Sequence, residues 1–367
     1  MGLENFALVD THNLPIKHQG EVHNGKVRSV YWLSKSDSAE LIDRRDYEIN
    51  PNSRIGVMVI SDKISAFDCN WKGEEGLQGV PGKGAALNAI SQHWFNLFDK
   101  NNLAGNHILE TPHPLVWIVQ RAKPIMVEAI ARQYITGSMW RDYEKGVRNF
   151  CGNQLPDELK ENQKLPELLI NPTTKGIMRG IQGILEEEDT NISRDQIEKN
   201  YAKFGFRSLE DIRNYEKLLR DGFEVIDSKL SALGQLFVDS KFELGYVFST
   251  DGRQRQMIYM DEAGTPDSSR IWDAEKYTQG IVVENSKEPF RQFLLRQKDK
   301  KDILLDKKRM PERKALAESY KVPVDEMMKI AENYVAITEK ITGEPFPDII
   351  NPKQEIMDAL SQLELAA

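Results

Sequence analysis

The segment Val238-Asp239-Ser240-Lys241-Phe242-Glu243-Leu244 alternates ionisable and apolar side chains. In a strand successive side chains point to opposite faces, so Asp239, Lys241 and Glu243 share one face and Val238, Phe242 and Leu244 the other. Leu236 to Phe248 reads as the first arm of a hairpin and Gln256 to Met260 as the second, because Thr250-Asp251-Gly252-Arg253 places an Asp-Gly pair between them. Pairing residue 250 with 253 sets Glu243 opposite Met260 and leaves Asp261 one residue out of register. The two carboxylates share a face only where a bulge or the strand end redirects Asp261. Two carboxylates that converge without further protein ligands are what a protein contributes to a Mg²⁺–nucleotide site, where phosphates and water fill the other positions. Without such convergence the same strand is a solvent-facing row of alternating charge.

Two further segments suit phosphates. Gly25-Lys26-Val27-Arg28 follows the turn-like His23-Asn24 and combines flexibility with cations, although it has neither Walker A spacing nor a dinucleotide-binding glycine fingerprint. Arg132 precedes the Gly137-Ser138 turn at the start of a helix expected from Met139. An arginine fork and a helix N-terminus together fit a phosphate monoester, while the plain alternative makes Ser138 a simple N-cap. Arg270, after Ser268-Ser269, is a candidate second cation for the same phosphate. The six histidines form no metal-ligand spacing with one another or with cysteine, and no Gly-x-Ser-x-Gly nucleophile turn occurs. Cys69 and Cys151 carry no zinc pattern.

The elements that must position these residues are those of a globular chain. It has 367 residues, is 40% hydrophobic and 29% charged, and 49 basic against 57 acidic side chains give a formal net charge of −8. Such a composition supports a buried core and excludes disorder, and the acidic balance argues against nucleic acid as a partner. One stretch runs the other way. Residues 286–314 hold 11 basic and 5 acidic side chains and read as a solvated, mixed-charge helix face. Apolar runs such as Ile55 to Ile60 fall far short of the ~20 residues of a membrane span, and the N-terminus has no secretory pattern. A cytoplasmic protein without membrane contact is therefore the expectation.

Gly25 to Leu33, Arg54 to Ser61 and Leu115 to Ala122 read as strands, and Leu87, Ile90, Trp94, Leu97 and Phe98 mark a helix over Ala85 to Phe98. Residues 152 to about 235 read as a long loop with helices, including Leu209 to Leu233. From Asp325 onward, Met327, Ile330, Ala331, Tyr334, Ile337 and Ile341 form one helical stripe, which is read as packing surface, stopped by Gly343 and Pro345.

Taken together these segments resemble the SAICAR synthetase family. The matching stretches are GKVRSVY (25–31), SDKISAFD (61–68), PGKGAALNAISQHWF (81–95), EAIARQYITGSMWRDY (128–143), VDSKFELGY (238–246), DEAGTPDSSRIWD (261–273) and PFRQFLL (289–295), in the family's order. The resemblance implies an α+β fold with a β-rich N-terminal lobe (1–127), a larger mixed lobe (128–367) and ATP in the cleft between them. It implies ATP-dependent ligation of the ribotide CAIR with L-aspartate, with Mg²⁺, in purine biosynthesis. Gly25, Lys26 and Arg28 would then belong to the loop over the ATP phosphates, with Lys175 as a further ATP contact, and Glu243 and Asp261 would hold Mg²⁺. Arg132, Ser138 and Arg270 would grip the ribotide phosphate. Asp68, Asp239, Lys241, Asp267, Ser269 and Arg291 would line the pocket for CAIR and aspartate, with Lys241 neutralising charge at the reacting carboxylate. The chain departs from the family pattern after Asn171-Pro172-Thr173-Thr174-Lys175, where GIMRGIQGILEEEDTNIS replaces a His-Asp-Glu acidic motif of longer members. The residues after Arg296 exceed the common form and read as an added helical surface for oligomer contacts.

Overall fold

Short strands rich in β-branched residues build the first sheet. The structure, a computed structural model, describes residues 7–297 and 300–367. Strands β1 (Arg28–Trp32), β2 (Ile55–Ile60), β3 (Ile108–His113) and β4 (Val116–Gln120) lie antiparallel in the order β1-β2-β4-β3, with His23–Asn24 on the β1 edge. β1 begins at Arg28 rather than Gly25 because the Gly25 N–H closes a turn onto the Arg28 carbonyl at 2.7 Å. Lys26 therefore sits on a hairpin tip and Arg28 on the strand proper.

The second sheet is organised around one long strand. Its members are β5 (Val127–Tyr134), β6 (Lys164–Thr174), β7 (Gln235–Phe248), β8 (Arg255–Met260) and β9 (Ser269–Asp273), in the order β6-β5-β7-β8 with β9 and Lys123–Pro124 also on β7. The expected hairpin register is present, with Glu243 opposite Met260. β6 corrects the reading of 152–235 as loop and helices. Pro172 and the adjacent polar residues hid it, yet it ends its sheet, where a residue lacking an N–H donor is tolerated.

Helices α1 (Lys83–Lys100), α2 (Gly137–Glu144), α3 (Leu209–Ala232), α4 (Glu288–Arg296), α5 (Met310–Ser319), α6 (Val324–Thr342) and α7 (Pro352–Gln362) cover the sheets. α2 starts one residue before Ser138, with Thr136 as its N-cap, so the N-cap alternative for Ser138 fails. One core joins the first sheet to Ala85, Ala86 and Leu87 of α1 and to residues of α4 to α7. The other joins the second sheet to α3 and to Ile90, Trp94 and Phe98 of α1. α1 is thus shared by both cores. The stripe Met327, Ile330, Ala331, Tyr334, Ile337 and Ile341 is buried on α6, which packs against α1 and ends on Gly343 at φ 75°. Each large side chain so buried contributes about 1.5–3 kcal/mol, so the residues after Arg296 fold onto the chain's own core.

Candidate active site

β7 fixes the floor of a cleft of about 960 Å³ between the two sheets. Period two turns Asp239, Lys241 and Glu243 into the cleft, while Val238, Phe242 and Leu244 are buried in the cores beneath. Asp239 lies opposite Arg132 of β5 on one side and Arg270 of β9 on the other. Its Oδ2 accepts from Arg270 Nη1 at 2.6 Å and stands 3.2 Å from Arg132 Nη1. Burial opposes its charge, but the two guanidinium groups hold the carboxyl below its ordinary range. Two arginines on one carboxylate leave positive charge at the cleft wall. Gly137, at φ 60°, begins α2 beside them, and a Cβ there would lie 2.6 Å from Arg270 Nη2. Only glycine lets the guanidinium and the helix N-terminus come so close. Ser138 follows and faces the same space.

Further along β7 the charges are reversed. Glu243, 4% exposed, accepts from Lys241 at 2.5 Å and from Lys175, which also lies 3.0 Å from Glu128. Burial opposes ionisation of Glu243, yet both ammonium groups pull its carboxyl well below normal. Asp261 joins it because the residue after β8 takes a left-handed backbone, φ 61°, a conformation open to a short acidic side chain. This is the redirection that the register required. Asp261 accepts from Arg28 at 3.0 Å and stands 3.8 Å from Lys241, while Arg28 also donates to Glu262 at 3.2 Å. Burial, with the Glu243 charge next, pushes the Asp261 carboxyl up to about 6. Such a pair favours an added cation. Among the described residues no group of three or more His, Cys, Asp or Glu side chains converges to hold a metal alone, so a divalent ion here would need outside oxygens as well.

A third cluster closes the other wall. Asp267 Oδ2 stands 2.9 Å from Lys83 and 3.1 Å from Lys287, and its Oδ1 accepts from the Tyr334 hydroxyl at 2.5 Å. Burial opposes its charge, but Lys287 and Lys83 keep it ionised. Burial also pushes the Lys287 ammonium down to about 8, despite Asp267, with Arg291 and Lys83 adding repulsion. Arg291 and Arg270 both donate to Glu288 at the start of α4. At the mouth, the hairpin tip brings Lys26 to 2.9 Å from Asp68, which lies 3.7 Å from the buried Arg313. The far end is apolar, with Val30, Met58, Val119, Pro124 and Met260.

Every residue singled out from sequence lines this one cleft: Gly25, Lys26, Arg28, Asp68, Arg132, Ser138, Lys175, Asp239, Lys241, Glu243, Asp261, Asp267, Ser269, Arg270 and Arg291. Three placements refine the reading. Arg28 is a buried strand residue at the floor and not part of the loop above it. Ser269 donates to Ser240 at 2.9 Å and ties β9 to β7. Lys287 and Arg313 of the basic 286–314 stretch point inward, so that stretch is not merely a solvated face. Glu128, Glu262, Lys83, Lys287, Glu288 and Tyr334 were not singled out. Both cysteines are free thiols, and His107 is a core residue whose burial, with Arg28 nearby, pushes it down to about 3. No helix among the described residues is long and apolar enough to cross a membrane.

An α+β chain whose two sheets enclose a cleft with an apolar end, a carboxylate pair and clustered cations belongs to the class of enzymes that handle nucleotides and other phosphorylated ligands. The SAICAR synthetase family matches residues 21–307. A phosphoribosylaminoimidazole-succinocarboxamide synthase of Vibrio parahaemolyticus is 57% identical over 362 residues, 99% of this chain and 98% of that protein. One of Shewanella baltica is 57% identical over the same shares. A SAICAR synthase from Saccharomyces cerevisiae, solved with SAICAR, superposes with a TM-score of 0.64 at 24% identity, covering 93% of this chain and all of that one. The chain belongs to the SAICAR synthetase family, and it is an ATP-dependent ligase of purine biosynthesis.

Proposed function

We propose that this cleft joins the carboxylate of CAIR to the amine of L-aspartate, and that the residues divide the work as follows. The ribotide's 5′-phosphate lies against Arg132, Arg270, Ser138 and the start of α2, where bidentate forks and helix N–H groups meet a doubly charged anion. The purine of ATP occupies the apolar end and its phosphates extend beneath Lys26. Glu243 and Asp261 would hold Mg²⁺, which supplies charge neutralisation at the phosphates; the raised carboxyl of Asp261, and the absence among the described residues of a group of three or more His, Cys, Asp or Glu side chains able to hold a metal, both fit an ion shared with a nucleotide.

A carboxylate is a poor acyl donor. Transfer of the γ-phosphoryl group to a CAIR carboxylate oxygen breaks the bond between the γ-phosphorus and the bridging oxygen, releases ADP and creates a phosphate leaving group. The aspartate nitrogen then attacks that carbonyl carbon, the C–O bond to phosphate breaks, and the nitrogen gives up a proton. Lys241 faces the reacting carboxylate and offsets its charge, while Lys287 and Arg291 face the carboxylates of aspartate. Catalysis in such a scheme is chiefly positioning and charge stabilisation. The observation that carries the reading is the single row Asp239, Lys241, Glu243 on β7, which sets an anion cradle, a cation and a metal-competent carboxylate at successive steps along one strand. Purified protein should release ADP only with ATP, Mg²⁺, CAIR and aspartate all present. ADP release indifferent to aspartate would sink the proposal.

A further inference from the structure

The family match ends at residue 307, yet two buried polar side chains beyond it contact carboxylates that line the cleft. Tyr334 of α6 is fully buried, and its hydroxyl donates to Asp267 Oδ1 at 2.5 Å. Asp267 Oδ2 faces Lys83 and Lys287 at 2.9 and 3.1 Å. With both oxygens engaged and a side chain only 6% exposed, Asp267 is fitted to hold Lys287, which is itself a residue of the cleft wall.

Arg313 of α5 repeats the arrangement at the mouth. It is 3% exposed, donates from Nε to the Ile303 carbonyl at 3.1 Å, and lies 3.7 Å from Asp68 Oδ2. Asp68 Oδ1 accepts from Lys26 at 2.9 Å. Asp68 belongs to a two-residue turn, Phe67-Asp68, with φ 54° and 62°, joining the strands Ile64–Ala66 and Cys69–Gly73. Both turn residues are left-handed without being glycine, a conformation that needs support from its surroundings. The segment supplies it, since Lys321–Val322 adds a parallel strand beside Lys72–Gly73 and α5 packs on the same hairpin.

We infer that the segment after residue 307 is a working part of the active site, with Tyr334 positioning Lys287 through Asp267, and Arg313 positioning Lys26 through Asp68. The division of ligands between the two relays rests on the ligase reading above: Lys287 serves a carboxylate substrate and Lys26 serves ATP. The two relays are independent, so each variant should mark a different ligand.

The test uses the full chain with Tyr334→Phe, Arg313→Met and Arg313→Lys, steady-state constants for ATP, CAIR and aspartate, and thermal unfolding. Loss of one hydrogen bond to a buried charge corresponds to roughly a tenfold effect. Tyr334→Phe should raise the KM for aspartate or CAIR about tenfold, leave that for ATP unchanged, and move the alkaline limb of the pH profile upward as Asp267 turns more of its charge to Lys287. Arg313→Met should raise the KM for ATP about tenfold, and Arg313→Lys should recover most of it. ATP-induced stabilisation against unfolding, which needs no turnover, should fall in Arg313→Met. Unchanged constants in both variants, with only a lower melting temperature, would overturn the inference. Should the wild type fail to release ADP, the ligase reading falls instead, and an undiminished ATP-induced shift in Arg313→Met would then overturn the Arg313 relay by itself.

Discussion

Arg28 of the first sheet donates to Asp261 at the end of β8 in the second, at 3.0 Å across the cleft. The guanidinium is almost wholly buried, and it also serves Glu262 at 3.2 Å. This contact ties the first sheet to the end of β8 in the second, and both residues line the cleft. A buried cation with two acidic partners resists removal strongly, because the charges left behind lose their compensation. The contact therefore acts as a structural pin, and Lys26 at the hairpin tip, its side chain 57% exposed, is the accessible cation of the pair read from Gly25 to Arg28.

Gly137→Ala tests the phosphate cradle. An added Cβ would stand 2.6 Å from Arg270 Nη2, and alanine is strained at φ 60°. The guanidinium must retreat or the turn must open. The KM for CAIR should rise roughly tenfold or more, in line with one weakened charge-assisted contact, while the KM for ATP stays near its wild-type value. Initial-rate kinetics on the folded variant decide it, and an unchanged KM for CAIR would place the phosphate elsewhere.

Much of this site is legible in the amino-acid sequence, and what is not has a common cause. Asp239, Lys241 and Glu243 were readable because period two is a local property of a strand, and the Asp251-Gly252 turn sets the register of the hairpin. Whether Asp261 joined Glu243 depended on one backbone torsion, which no residue type dictates, although Asp tolerates the left-handed region better than most. Tyr334 lies within a stripe that reads correctly as core, for its ring is core; only its hydroxyl meets a cleft residue, Asp267, 67 positions away. Lys83, Lys287 and Glu128 are likewise hidden because their partners, Asp267 for the two lysines and Lys175 and Lys241 for Glu128, are remote in sequence. The strand Lys164–Thr174 is hidden in the sequence because edge position, which excuses its prolines, is a property of the assembled sheet.

Lys287 predicts opposite pH trends for activity and stability. Its ammonium is pushed from 10.5 down to about 8 by burial, against the pull of Asp267. Between pH 8 and 10.5 the folded chain thus holds fewer protons at this site than the unfolded chain does, so this group's contribution to stability rises with pH across that window. Activity should fall over the same window, because the neutral amine no longer attracts a substrate carboxylate. Lys287→Met should remove both trends, lowering activity at neutral pH while flattening the alkaline limb of kcat/KM for aspartate. An alkaline limb preserved in that variant would assign it to another group.

Glu243 gives the sharpest test of the metal assignment. In the structure its two oxygens are balanced by Lys241 and Lys175, and Asp261 beside it is pushed up to about 6 by burial and by the Glu243 charge. Glu243→Gln keeps the shape and removes one negative charge. It should leave Lys175 and Lys241 with excess positive charge, relieve Asp261, and abolish one of the two carboxylates offered to Mg²⁺. Loss of one hard oxygen ligand, with its charge, should lower kcat/KM for ATP by roughly two orders of magnitude or more, if that ligand contributes about 3 kcal/mol at the transition state. The half-saturating Mg²⁺ concentration should rise in parallel. Chelation should stop ADP release by the wild type, and Mg²⁺ should restore it. A variant with normal Mg²⁺ dependence but low turnover would instead place Glu243 with the lysines alone, as an electrostatic brace for Lys241, and would move the ion toward Asp261 and Glu262.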